Sequence, residues 1–401
     1  MNTGAMRTLT LAPFMVLLLI LPFPGTVTLR LICLSVAFLA AIVLWRRFAP
    51  PTVPCRLPLA FWASIALLSL VGAADPGYSL GEIKNEIVYA LMAFVAFFAV
   101  TREESDLKRL LGSLFAGAFI LCVGALEARL RLGVWPERGG GFGGTAAFPG
   151  YVAIIVPMLL VFGVYTSGKW RRPAAAALFL IVCVTGLLSL QRVLVWILAG
   201  QTAVALILLR RARLIRLSRA SLAASLAGIV VAGAAASALL QQERVKLGSA
   251  SAVFLDIRFA QWPAILERIG QNPLVGGGFG REAMKKSHPD LLPGSESPLW
   301  HAHNVFLDYG LEMGLPGVLA LAWVFFSLLR EHWRSYNAPD DRLRWLGVAG
   351  IMLVTGVVLR NFVSDMFVRD AAILFWAANG ALLGFGCRRS HREGPRTDER
   401  A

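Results

Sequence analysis

An all-α integral membrane protein of about twelve transmembrane helices, with one large extracytoplasmic loop containing short helices, is the fold class this sequence predicts. Three observations predict it. Of 401 residues, 57% are hydrophobic and only 16% are charged, a balance that suits neither a soluble domain nor a disordered chain. Apolar runs long enough to cross a hydrocarbon core of about 30 Å recur from end to end. One polar interruption, residues 241–302, carries seven Lys/Arg and six Asp/Glu and leads into His301-Ala302-His303-Asn304.

The apolar runs lie near 8–24, 27–45, 57–74, 84–100, 108–128, 147–166, 174–190, 193–209, 219–240, 304–329, 345–360 and 368–387. An even number of crossings puts both termini on one side. The runs near 84–100 and 174–190 are the shortest. The first run lacks a small-residue cleavage site and reads as an uncleaved span rather than a signal peptide. With no solenoid repeat and no low-complexity linker, residues 1–401 read as a single polytopic domain, 241–302 as a loop within it and 388–401 as a tail.

Charge sets the orientation. If Met1 is cytoplasmic, Arg7, five alternate connections and the tail from Arg388 hold 24 of the 39 Lys/Arg residues. Those connections are Arg46–Arg56, Thr101–Arg109, Ser167–Pro173, Arg210–Arg219 and Arg330–Arg344. This is the asymmetry of the positive-inside rule, which long loops escape. Both termini are therefore predicted to be cytoplasmic and the polar loop to face the periplasmic side. The net charge of +15 would suggest nucleic acid in a soluble protein. Here the basic residues are spread over inner-face connections, where anionic membrane lipids account for them, so no nucleic-acid partner is predicted. The five cysteines fall in spans or on the cytoplasmic side. No disulfide is available to the loop, which must be held by packing.

Within the loop, Asp256–Gln271 reads as an amphipathic helix. Phe259, Trp262, Ile265, Leu266 and Ile269 recur at three- and four-residue spacing. Pro263 either kinks this helix or marks its start, and Asn272-Pro273 ends it. Gly276-Gly277-Gly278-Phe279-Gly280 follows as a turn, because it lacks the Lys-Ser/Thr and the strand-to-helix setting of a phosphate loop. Gly139–Gly144 reads the same way. After His303-Asn304 a helix runs from Val305 to Met313. It breaks at Gly314-Leu315-Pro316-Gly317 and resumes to Leu329, which would hold His303 at the outer water–lipid boundary.

Arg192 follows Ser189-Leu190-Gln191 with almost no loop between two spans, and Arg258 sits on the first turn of the loop helix. Arg360 has Asn361, Asp365 and Asp370 nearby. A charge this close to apolar sequence is costly unless it faces a cavity or a partner, such as an Arg360–Asp365 pair. Arginine binds phosphate oxygens through a charged fork at any biological pH. Histidine takes a proton from a hydroxyl near neutral pH. Three arginines and His303 on one face thus suggest transfer of a group from a diphosphate carrier to an alcohol. His301-x-His303 could offer two nitrogens to a metal, but the loop has no Asp-x-Asp pair and no His-Glu-x-x-His, so neither metal nor cofactor is predicted.

His303-Asn304, nine residues and then Gly314-x-x-Gly317 resembles the signature shared by bacterial O-antigen ligases and O-antigen polymerases. Arg258 followed by Asn272-Pro273-Leu274-Val275-Gly276-Gly277-Gly278 resembles the segment that precedes that signature. Arg192 after Ser189 resembles an arginine of the same superfamily, although relatives commonly place Ser directly before Arg and here Gln191 stands between. The resemblance implies a metal-independent, inverting membrane glycosyltransferase with a GT-C-like helical fold in the bacterial inner membrane. Its donor would be a glycan on undecaprenyl pyrophosphate, held by Arg192 and Arg258. His303 would be the catalytic base, with His301, Asn304, Arg360 and Asp365 as secondary candidates. A single large outer loop favours a ligase, whose acceptor is a sugar of lipid A-core. Polymerase, protein O-oligosaccharyltransferase and a polytopic transporter remain as alternatives.

Overall fold

The computed structural model describes residues 3–47, 51–133, 147–165, 168–246, 254–292, 301–367 and 369–393. The described residues form helices and connections, without strands. In chain order the α-helices are α1 (Thr3–Ile20), α2 (Val27–Arg47), α3 (Arg56–Leu68), α4 (Pro76–Glu82), α5 (Tyr89–Val100), α6 (Glu104–Leu132), α7 (Phe148–Tyr165) and α8 (Arg171–Leu188). They continue as α9 (Arg192–Arg211), α10 (Arg219–Lys246), α11 (Phe254–Gln271), α12 (Ala283–Ser287), α13 (Val305–Tyr336), α14 (Asp341–Asn361) and α15 (Arg369–Glu393).

Every one of the twelve predicted apolar runs is helical. Among the described residues nine helical stretches are long and apolar enough to cross a membrane by length and composition, and Arg7–Ile20, Arg56–Gly72 and Arg172–Leu188 are shorter apolar helices. The run predicted at 84–100 is longer than its apolar core suggests. Asp75 caps α4 by accepting from the Tyr78 N–H at 2.9 Å, Pro76 occupies the first helical position, and a π-helical turn, Ile83–Val88, joins α4 to α5. The first run is shorter than predicted, because α1 ends at Ile20. The polar loop also begins later, since Gln241–Lys246 continue α10. The helix predicted at Asp256–Gln271 is α11, which starts at Phe254 and has Pro263 in its interior. Gly139–Gly144 lies outside the described residues.

Helix ends gather into two sets that match the predicted alternation. At one end Arg7 forks onto Asp106, Nε to Oδ1 at 2.9 Å, and donates to Val100 O at 3.1 Å. Arg388 reaches Phe98 O at 2.7 Å, Arg342 pairs with Glu104 at 2.7 Å, and Arg389 with Asp340 at 2.6 Å. The first and last helices therefore meet at the end of α5. At the opposite end Tyr151 donates to Leu21 O at 3.0 Å, Arg30 pairs with Asp370, and Arg281 pairs with Asp365 at 2.9 Å. Between these layers lies an apolar core that includes Trp62 stacked on Trp376 at 5.6 Å and Phe94 edge-on to Trp376.

The break in α13 positions the loop. Gly314 adopts φ 68° and ψ −171°, a conformation that favours glycine. An unbroken helix would spend the Leu315 N–H on Leu311 O and leave Glu312 O facing Pro316, which has no N–H. Instead Leu315 donates to Pro273 O at 2.8 Å, and the two freed carbonyls take new donors. Gly277 N–H reaches Leu311 O at 2.8 Å and Gly278 N–H reaches Glu312 O at 3.1 Å. The glycine run thus straps onto the break, and any side chain at Gly276 would collide with the Glu312 backbone. From the other side Ala74 N–H meets Gly277 O at 3.2 Å and Lys286 pairs with Asp75 at 2.6 Å. That hydrogen bond holds the Asp75 carboxyl below its ordinary pKa. The described part of the loop is held by packing, hydrogen bonds and ion pairs.

A β-carbon at Gly314 would stand 2.7 Å from Pro273 O in a backbone conformation that L-residues resist. Gly314→Ala is expected to destabilise the detergent-solubilised protein by about 1–3 kcal/mol, read as a lower thermal-unfolding midpoint. An unchanged midpoint would show that the strap does not depend on the break.

Candidate functional site

The site is built at the start of α13. Asn304 is its N-cap, with extended backbone angles (φ −150°, ψ 114°) and a side-chain oxygen that accepts from the Phe306 N–H at 2.9 Å and the Leu307 N–H at 3.4 Å. Such a cap contributes about 1 kcal/mol. Asp308, one turn further on, reaches back. Its Oδ1 accepts the Ala302 N–H at 2.7 Å, and its Oδ2 lies 3.1 Å from His301 Nδ1. Trp262 of α11 clamps the same turn by donating from Nε1 to Ala302 O at 3.0 Å.

His303 sits between these fixed points in the left-handed region, at φ 53°. A non-glycine residue held there stores roughly 1–3 kcal/mol of strain and persists only where its surroundings over-determine it. Its N–H lies 3.1 Å from His301 Nδ1, and the two imidazoles stack with centroids 3.9 Å apart at 38°. His301, Asn304 and Asp308 are buried, whereas His303 is half-buried. The turn therefore presents one partly accessible imidazole on a rigid support, which suits proton transfer with an approaching hydroxyl.

Behind the turn lies a polar interior. Arg281, from the end of the glycine run, donates Nε to Asp365 Oδ2 at 2.9 Å and Nη2 to Asp365 O at 3.0 Å. Asp365 Oδ1 in turn accepts the Phe367 N–H at 2.8 Å, and Asn361 accepts the Met366 N–H at 2.7 Å. Burial works against the Arg281 charge, but Asp365, Glu86 and Asp308 outweigh it and hold its pKa above the ordinary value. Asp365 therefore takes Arg281 as its partner, where the sequence suggested Arg360. Arg360 is buried in the last turn of α14.

Arg192 opens α9 directly after a tight turn in which Leu190 has φ 55°. Its side chain is half-buried, and among the described residues it has no hydrogen-bond or ion-pair partner. α9 runs antiparallel to α14. Tyr336, just before α14, donates to Leu208 O at 3.1 Å, and Gly200 lies against Leu359. Arg192 and Arg360 are thus at the same end of this helix pair. Arg258 lies within α11, and its side chain is outside the described residues. The structure brings together His301, His303 and Asn304 on one turn and joins Asp365 to the loop. Among the described residues, no hydrogen bond or ion pair connects Arg192 to that turn. Among the same residues, no group of three or more His, Cys, Asp or Glu could hold a metal ion.

Arg281 and Asp308 were not legible as site residues. Arg281 is one of seven basic residues in the loop, and its position directly after Gly280 is the one local hint. Asp308 lies four residues after Asn304, within reach of a capping turn, but nothing in its spacing names His301 as a partner.

Residues 144–322 match the family model described as O-antigen ligase. The matched stretch contains Arg192, Arg258, His301, His303, Asn304 and the Gly314 break, and it ends within α13. Among curated proteins none matches the chain.

The Arg281–Asp365 pair yields a test of its own. Removing one member of a buried ion pair strands the other charge and typically costs about 3–5 kcal/mol, whereas replacing both costs far less. Asp365 is 4% exposed at its side chain and Arg281 20%, so Arg281→Gln belongs toward the lower end of that range. Arg281→Met combined with Asp365→Asn is expected to recover part of the lost thermal stability. Equal or greater destabilisation of the double variant would mean that the pair is not what holds the glycine run against the end of α14.

Proposed function

We propose that this chain, which carries an O-antigen ligase family domain over residues 144–322, is a glycosyltransferase of the inner membrane. It moves a glycan from undecaprenyl pyrophosphate to a sugar hydroxyl of lipid A-core. The observation that carries this reading is the half-buried His303, fixed at the N-terminus of α13 inside the family domain. In the reaction His303 accepts the proton of the acceptor hydroxyl, and the oxygen attacks the anomeric carbon from the face opposite the carrier. The bond to the diphosphate breaks, with inversion. Arg192 and Arg258 stabilise the departing diphosphate, a task suited to planar, always-charged forks. Neither step uses a metal or an organic cofactor.

The proposed site faces the periplasm, with both termini in the cytoplasm. This orientation is supported by the positive-inside bias and by the meeting of the first and last helices at one end of the bundle. The same catalytic parts would serve an O-antigen polymerase, in which the acceptor is a second carrier-linked glycan. The single large loop supports the ligase reading. A protein O-oligosaccharyltransferase would take a serine peptide, and a transporter would show no chemistry.

His303→Ala is expected to fold normally and to lose about 10²–10⁴ in transfer rate. Full activity of the purified variant would remove His303 from the chemistry. Arg192→Lys should also be strongly impaired, because a point charge does not reproduce the fork; a wild-type rate would leave Arg192 a structural charge. Activity should survive EDTA, and a loss restored by divalent ions would contradict a metal-independent mechanism.

A further inference from the structure

The pair His301-x-His303 has a geometry that the base assignment alone does not use. His301 turns its Nδ1 away from solvent, toward Asp308 Oδ2 at 3.1 Å and the His303 N–H at 3.1 Å. The two rings lie 3.9 Å apart. Asp308 is buried and engages the turn through both oxygens. With the His303 N–H donating to Nδ1, that nitrogen carries no proton of its own, and in the contact with Asp308 Oδ2 the carboxyl supplies the proton. Arg281, from the loop before α12, is the charged group that acts on Asp308, and Asp308 in turn acts on Glu312, one turn along α13.

Resting on the glycosyl-transfer reading above, we infer that His301 and Asp308 are positioning residues for His303. The Asp308 carboxyl fixes the His301 ring, and that ring, stacked on His303 and close to its backbone N–H, sets the orientation of the base. No covalent step is added. When His303 takes the acceptor proton, the resulting imidazolium sits against a neutral ring whose Nδ1 is held by Asp308 and by the His303 N–H. The arrangement keeps the ring that receives the proton in one orientation during transfer. It also holds a left-handed histidine that would otherwise relax.

The test uses the full-length protein in lipid nanodiscs, with an undecaprenyl-pyrophosphate-linked oligosaccharide as donor and lipid A-core as acceptor. Asp308→Asn and His301→Ala are each expected to lower kcat by about 10- to 100-fold, part of what a general base supplies, with KM for the donor unchanged. The double variant should be no slower than the worse single variant, because the two residues act through one path. His301→Asn, which keeps a polar atom near Nδ1, should recover part of the rate lost in His301→Ala. This pair of variants decides the matter if Asp308→Asn does not fold.

A wild-type kcat in the single variants overturns the inference. So does a fall that is additive in the double variant and is not rescued in His301→Asn, since that describes a residue that only stabilises the turn. His303→Ala in the same assay separates the two levels. If it is fully active, the base assignment fails and the positioning role fails with it. If it is inactive beside a wild-type Asp308→Asn, only the positioning role fails.

Discussion

Two carbonyl groups, Leu311 O and Glu312 O, are released where α13 breaks at Gly314, and their recapture by Gly277 and Gly278 is the contact on which the site depends. Buried carbonyls without donors cost roughly 1–3 kcal/mol each, and more in a lipid environment where water is scarce. The chain meets this demand with main-chain N–H groups from a loop, so the loop is ordered by the same event that bends the helix. That exchange fixes where Arg281 emerges, how α11 lies on α13, and therefore where Trp262 can hold the histidine turn.

The polar interior follows from that placement. Arg281 brings a positive charge to Asp365 and within electrostatic reach of Glu86 and Asp308. Glu86 stands on a π-helical turn, a local irregularity that often marks functional positions in helices. Ionised groups in such surroundings are tolerated when they are paired or hydrogen-bonded, and Arg281 supplies the pairing from outside the spans. The membrane helices and the loop are thus mutually dependent: α13 lacks hydrogen bonds without the glycine run, and Arg281 supplies the counterion that Asp365 has among the described residues.

Much of the fold was readable because membrane insertion imposes a one-dimensional rule. Apolar length predicts crossing, and all twelve predicted runs are helices. The break at Gly314 was also legible, since glycine and proline act on the local backbone. Reading failed at boundaries and at pairs. Gln241–Lys246 continue α10 because polar residues do not end a helix unless capping or packing stops them. α4 extends the run at 84–100 back to Pro76 through a cap and a π-helical turn that hydropathy does not register. Asp365 met Arg281 across more than eighty residues instead of its near neighbour Arg360. Nothing local encodes a pairing made by tertiary packing. For the same reason the break after His303-Asn304 was legible from the spacing to glycine, while the back-turned hydrogen bond from Ala302 to Asp308 was not.

The central claim is that the site transfers a carrier-linked glycan to a lipid A-core sugar, and acceptor choice tests it most directly. Purified protein in nanodiscs would receive an undecaprenyl-pyrophosphate glycan together with one of three acceptors: lipid A-core, a second carrier-linked glycan, or a serine peptide. The predicted result is glycan attached to lipid A-core alone, with release of undecaprenyl pyrophosphate. Elongated carrier-linked glycan or glycosylated peptide would contradict the acceptor assignment, and no product with any acceptor would contradict glycosyl transfer itself.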